Sequence, residues 1–492
     1  MSNITEPAPE GVVVPPHPRR SREDVAPPDR SVGIAVALCA LGFAVWSSHR
    51  FTSVAGALFF VTCSIGLLVS GRLRTRQSRF FVGLAPVFGM WLLVRQSPWL
   101  IPLDMIAASG FLGLGVATST RGLGLHYGIR DYVAMPGHVG GQAIDSVGFA
   151  SRTWSSREAA SRRTNGRAVV LGLTVAAPLV ALLGLLLATG DQAFADLMAT
   201  VFGGSLGAHV VRVVLGMILG LVLVRVASGD DARPRPPMPA RFGPVESLTV
   251  LGALISLYVV FAAAQVIGSL FPSDAVSRSA SETREWVHHG FFPLLWASVI
   301  TLVALLVLGN VGRRATRRDE RRFARATAVL AALTLVVVGV ALYRIAEYSD
   351  VFGLTMLRLY SFLFACWIGA VFILLAARAL GFGRGRRWFV AWCAGLGLMI
   401  LLALNVVNPE ALVVGQGASR LGRFDDRYLL SELSDDAVPA IVDVLDRLPG
   451  DKAERVVRGL CARDSRHESE GGLDWNRSRA AARSALRELC GP

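Results

Sequence analysis

Eleven apolar runs constrain what this sequence can fold into. They lie at about 31–48, 51–71, 80–95, 98–120, 167–189, 207–228, 246–271, 291–311, 326–346, 357–379 and 388–408. A helix rises 1.5 Å per residue, so about twenty residues cross roughly 30 Å of hydrocarbon. Runs this long, without two-residue alternation, do not read as strands. Charged residues are only 17% of the chain, against 53% hydrophobic, whereas soluble domains approach a quarter charged. The expected fold class is all-α: a polytopic transmembrane helical bundle of about 11 spans. The short first and third runs are expected to tilt or re-enter. A secreted disulfide scaffold and a disordered chain are excluded.

The arginines test that topology. With the amino terminus inside, the cytoplasmic segments hold 30 arginines and the outer loops six: Arg50, Arg95, Arg278, Arg284, Arg344 and Arg358. This asymmetry obeys the positive-inside rule, and one helix more or fewer would reverse it downstream. Trp46, Trp99, Trp286 and Trp388 near run ends fit an interfacial belt. The net charge of +14 then implies anionic lipid headgroups as partners of the cytoplasmic loops. No compact basic domain with base-reading side chains is present, so nucleic acid is not expected.

Three regions follow. Residues 1–30 are polar and proline-rich, and read as a disordered cytoplasmic arm with no cleaved signal peptide. Pro15 and Pro18 there form a PxxP ahead of Arg19 and Arg20, leaving a partner-binding tract as the alternative. Residues 31–408 form the transmembrane bundle. Residues 409–492 are expected to be an extracytoplasmic helical tail. In it, Asp435 or Asp436 would cap a helix bearing Val438, Ile441, Val444, Leu445 and Leu448. Asp451 would cap a second helix with Val456, Val457 and Leu460, and a third would run over about 477–489. Such a tail can pack as a small cap on the outer span ends.

Cysteine usage points to no metal. Cys39, Cys63, Cys366 and Cys393 lie in apolar runs and read as small buried hydrophobes. No CxxC occurs, so no zinc or iron–sulfur site is expected, and no cofactor signature is present. Cys461 and Cys490 of the tail are a disulfide candidate, which would contribute about 3 kcal/mol; two unpaired thiols are the alternative.

Ionisable groups at membrane depth are costly and mark candidate sites. Asp104 lies near the outer end of the fourth run, Arg212 of the sixth and Gln265 of the seventh. Trp286, His288 and His289 lead into the eighth. Arg344, Glu347, Tyr348, Asp350 and Arg358 surround the turn between the ninth and tenth, and Asn405 and Asn408 close the eleventh. Asn310 is the main polar group on the inner side. One reading is interfacial residues and a structural Arg344–Asp350 pair. The other is an outward cavity in which Arg344 and Arg358 hold an anionic group, with Tyr348, Thr355 and Asp104 as further binding candidates. Glu347 or Asp350 would then be the catalytic base. His288 and His289 diverge by about 100° on a helix and do not suit one metal. Gly216 and Gly220 form a GxxxG that can bring two helices close, and Pro86, Pro178 and Pro293 fall inside runs. Nucleotide, serine-hydrolase and metalloprotease motifs are absent.

The stretch from Arg344 to Arg358 resembles a bacterial family of polytopic membrane proteins of unknown function, with a pattern of the kind R-M-x-x-Y-x-x-x-Y-G-L-T-x-x-R. Arg344, Tyr348, Gly353, Leu354, Thr355 and Arg358 match it; Ile345 and Phe352 replace a methionine and a tyrosine. Upstream, Gly290, Phe291, Phe292 and Leu294 match a second pattern, whose tyrosine, arginine and glutamate are here Trp286, His288 and Pro293. In the tail, Asp426, Tyr428 and Leu429, and Asp436 to Pro439, resemble D-x-Y-L and D-A-V-P elements. The resemblance covers about 170–492 and implies a membrane fold and an unknown activity. Physically, Gly353 can take positive φ after the ninth span and Thr355 can cap the tenth.

The expected function is that of an integral membrane protein serving as a sensor, scaffold or assembly component of the cell envelope, with 409–492 as the contact for an envelope protein partner. Two alternatives stand: a membrane-embedded transferase acting on a lipid-linked anionic substrate from the outer face, and a transporter of an anionic solute.

Overall fold

The structure, a computed structural model, describes residues 30–119, 205–228, 244–270, 280–311, 316–382, 388–418, 426–464 and 472–491. The proline-rich arm and the fifth apolar run lie outside the described residues. Among the described residues every regular element is helical, as a chain that must satisfy its own backbone in lipid requires.

The helices of the first part are α1 (Arg30–Ser48), α2 (Val54–Val69), α3 (Arg76–Gly89), α4 (Trp91–Val94), α5 (Leu100–Ala117) and α6 (Ser205–Ser228). Then come α7 (Pro244–Leu270), α8 (Ala280–Val311), α9 (Arg317–Phe352), α10 (Met356–Ala379) and α11 (Trp388–Val407). The tail holds α12 (Pro409–Ala418), α13 (Asp426–Ser431), α14 (Val438–Asp443), α15 (Gly450–Asp464) and α16 (Arg477–Cys490). Each of the ten apolar runs other than the fifth coincides with helix over its described residues. Seven helices among the described residues are long and apolar enough to cross a membrane, and Val54–Val69 and Leu294–Gly309 are apolar but shorter. The all-α transmembrane bundle is as expected, and the seven are counted among the described residues alone. The third run breaks at Met90 between α3 and α4, which together make one candidate from Arg76 to Val94, with Pro86 inside α3.

Two bundles share α11. The first packs α1, α2, α3, α5 and α6 around Phe60, Leu67, Phe88 and Leu100; the second packs α7 to α10 around Leu251, Leu330, Ile368 and Phe372. Leu401 of α11 joins the first core and Phe389 the second. Ile106, Val260, Ile300 and Met399 point outward and are exposed, as helices immersed in hydrocarbon allow. In lipid, helices associate by close packing rather than by escape from water. The Gly216/Gly220 pair carries such a contact: a Cβ at Gly216 would lie 2.7 Å from Ala40 Cα, and one at Gly220 3.0 Å from Val36 Cα.

The two ends of the bundle differ. At one end Ser31 Oγ donates to the Ser70 carbonyl, Arg74 N to Ser119 O, and Ser119 Oγ to Ala227 O. Arg72, Arg74, Arg76 and Arg79 lie at this end, around the α2–α3 turn. α9 extends beyond its apolar run at the arginine-rich start because Thr316 and Asp319 form a reciprocal capping box. At the other end lie the α1–α2, α4–α5 and α9–α10 turns, the end of α11, and the tail.

The tail helices enclose their own apolar core: Val413, Leu429, Ile441, Val456, Leu460 and Leu486, joined by Met356 at the start of α10. The expected tail helices form, with differences. The first is short, and is followed by a 3-10 turn at Leu445–Arg447. Its cap is Ala437, without a side-chain bond. Asp436 does not cap it, because its carboxylate is turned towards the bundle.

Candidate functional site

That carboxylate is the centre of a buried polar seam between tail and bundle. Gln96 N and Ser97 N donate to Asp436 Oδ2 at 2.9 and 2.8 Å, and the Ser478 hydroxyl donates to Oδ1. These donors come from the α4–α5 turn and from α16, so one side chain ties three segments together. Its neighbour is Asn408, whose Nδ2 donates to Asp436 O at 2.8 Å. Asn408 has φ +59°, a left-handed conformation that asparagine tolerates better than most residues. It turns the chain from α11 into α12.

The amino end of α16 supplies a second anchor. Asn476 accepts from Ser478 N and Arg479 N as the helix cap, while its Nδ2 donates to Leu92 O at 3.0 Å. Arg479 donates to Thr52 O at 2.9 Å and to Asp474 O at 2.6 Å. Asp474 accepts from Arg50 N at 2.7 Å and meets His49 Nδ1 at 3.0 Å. Val54 N also donates to Trp475 O.

The seam continues into the membrane. Arg95 Nε donates to Asn405 O at 2.8 Å, and Asn405 Nδ2 donates to Asp104 Oδ1 at 2.8 Å. Glu410, in the first turn of α12, accepts from Ser434 N and Oγ at 2.7 and 2.8 Å. Asp104, Asn405, Glu410 and Asp436 are only 1%, 0%, 0% and 3% exposed. Burial pushes the carboxyls of Asp436 and Glu410 above the usual range; for Asp436 the Ser478 hydroxyl opposes this, and for Glu410 the nearby Asp436 adds to it. Burial also lowers the Arg95 guanidinium, against the pull of Asp436. Asp474, nearer water, is instead held below its usual value, chiefly by the Arg50 backbone N–H.

The sequence-derived candidates divide between two places. Asp104 belongs to this seam. Arg344, Glu347, Tyr348 and Asp350 lie in the last turns of α9, with Glu347 and Asp350 exposed. The Arg358 guanidinium stacks over the Tyr348 ring at 4.3 Å and donates to Gly353 O. Gly353 takes φ +81°. Thr355 stands at the cap of α10 but makes no capping bond with its side chain. Tyr428 takes over that end by accepting from Met356 N at 2.8 Å. Arg212 donates to Ser48 Oγ at 3.1 Å. The side chains of Gln265, Trp286, His288, His289 and Asn310 lie outside the description. Cys461 and Cys490 face each other as a disulfide pair, Cα atoms 5.7 Å apart, between α15 and α16.

Sequence reasoning missed Ser97, Tyr360, Glu410, Ser478 and Arg479. Glu410 follows Pro409 as an ordinary helix-starting acid would, and nothing local marks it as buried. Asp436 lay inside the D-A-V-P element, which was the usable signal.

A family model described as a domain of unknown function (DUF4153) matches residues 82–444, well over half of the chain. The chain belongs to this family. The match covers α5, the α9–α10 turn, Asn405, Glu410 and Asp436, but ends before α15 and α16. No curated protein and no solved structure matches.

Proposed function

We propose that this membrane protein is a sensor, scaffold or assembly component of a cell envelope, with 409–492 forming an extracytoplasmic cap that presents its surface to a partner. The observation that carries the reading is the use made of the acidic groups. Asp436 and Asp474 are consumed in holding the cap to bundle backbone. Glu347 and Asp350, the candidate bases, stand exposed at the end of α9. The cap's placement opposite the arginine-bearing turns supports an outside location under the positive-inside rule. The cytoplasmic arm and anionic headgroups at the inner loops complete this picture.

Complementation tests it. In cells lacking the gene, an envelope defect is restored by Arg344→Ala/Arg358→Ala but not by a chain ending at residue 408 that still inserts. Loss of rescue in the arginine variant, with normal membrane levels, rejects the scaffold reading in favour of the transferase or the anion transporter.

A further inference from the structure

Where α5, α10, α11, α12 and the 95–99 turn converge, four buried oxygen atoms have no hydrogen-bond partner among the described residues: Asp104 Oδ2, Tyr360 Oη, Asn405 Oδ1 and Glu410 Oε1. Their side chains are drawn together. Asp104 and Asn405 are hydrogen-bonded to each other. The Ser97 hydroxyl donates a hydrogen bond to the Glu410 carboxyl. Tyr360 is within electrostatic reach of Asp104 and Glu410, its ring stacked on Trp99 at 5.3 Å.

Buried polar atoms nearly always find partners, so such a group calls for a water or an ion. All four atoms are oxygens, three of them on carboxyl or amide groups. Arg95 gives its hydrogen bonds to the Asn405 and Val406 carbonyls rather than to the carboxyls. Negative charge near Asp104 and Glu410 therefore lacks a directly bonded cation. A proton on one carboxyl would satisfy one or two of these oxygens. A cation that exchanges its hydration shell for protein oxygens takes several such oxygens as ligands at once. No group of three or more His, Cys, Asp or Glu side chains suited to a metal exists among the described residues, which speaks against a carboxylate-rich divalent cage. A monovalent ion is served by two carboxyls and neutral oxygens.

We propose that Ser97, Asp104, Tyr360, Asn405 and Glu410 bind a monovalent metal cation, sodium or potassium, at the junction of bundle and cap. The site stands whether or not the cap has a protein partner. Glu410 belongs to the first turn of the cap and Asp104 to the membrane, so the ion couples the two.

The test uses the full-length protein in detergent, at constant ionic strength, in sodium, potassium or N-methylglucamine chloride. The thermal midpoint is expected to rise by several degrees in sodium or potassium over N-methylglucamine, and this difference is expected to vanish in Asp104→Asn and in Glu410→Gln. Equilibrium dialysis with radioactive sodium and with rubidium as the potassium tracer gives a readout that needs no variant. About one ion per chain supports the site. No bound ion with either tracer overturns it and leaves buried water or a proton as the occupant. Equal midpoints in all three salts, or an undiminished difference in both variants, also overturn it.

Discussion

Asp436 shows how one side chain decides between two uses of an acid. Beside Ala437 and Pro439 it looks like a helix cap, yet the fold uses its charge to accept three donors from outside its helix. Asp436→Ala should leave Gln96 N, Ser97 N and Ser478 Oγ unmatched in a buried place. Losing a buried charged partner costs about 3 kcal/mol, so the variant cap should be clipped by protease under conditions in which the native one resists. Equal resistance would remove Asp436 from the anchor. Asp436 and Glu410 also set a pH dependence, among neighbours that include Arg95, Arg477 and Asp104. Their folded pKa values are raised by burial. The folded state therefore holds extra protons, and this stabilisation is full below the ordinary carboxyl pKa of about 4. It is lost as pH rises through the raised values. Asp474, held low, acts in the opposite sense and only as pH falls through its own lowered value. With N-methylglucamine as the only added cation, the thermal midpoint should thus decline as pH rises above about 4, and Glu410→Gln should flatten the slope; a midpoint that climbs instead would contradict the assignment.

Among the helices, much was legible in the sequence, because apolar run length is set by bilayer thickness. The starts and ends of α1, α5, α10 and α11 follow the runs closely. The extension of α9 to Arg317 was not read, since it depends on the Thr316/Asp319 box rather than on hydropathy. The GxxxG of α6 was legible as a motif, but its partner α1 was not, because partner choice is non-local. Gly216→Val should force α6 from the Ala40 backbone, at a cost of about 1–3 kcal/mol. Gly252→Val, at a position with nothing within 4 Å of a new Cβ, is the matched control. Equal unfolding temperatures for the two variants would contradict the close contact. At the α9–α10 turn, Gly353→Ala should cost about 1–3 kcal/mol, because φ +81° with ψ 164° is essentially open only to glycine.

For the molecule as a whole, Asp104, Asn405 and Asn408 meet in a seam under the tail, whereas Arg358 and Tyr348 pair at the α9–α10 turn. Asp104, Asn405 and Asn408 were visible as polar residues at run ends. Their partners Arg95, Glu410 and Asp436 were not, because the contacts join positions hundreds of residues apart. The pairing of Cys461 with Cys490 is a consequence of the outside location proposed for the cap. Thiol-blocking mass tags should therefore add two labels to tail cysteines only after reduction. The central claim is that the cap sits on the extracytoplasmic end, opposite the arginine-bearing turns. Reporter fusions at the carboxyl terminus measure this directly. An alkaline phosphatase fusion should be active and a green fluorescent protein fusion dark. A bright fluorescent fusion with an inactive phosphatase would place the cap inside and contradict the account.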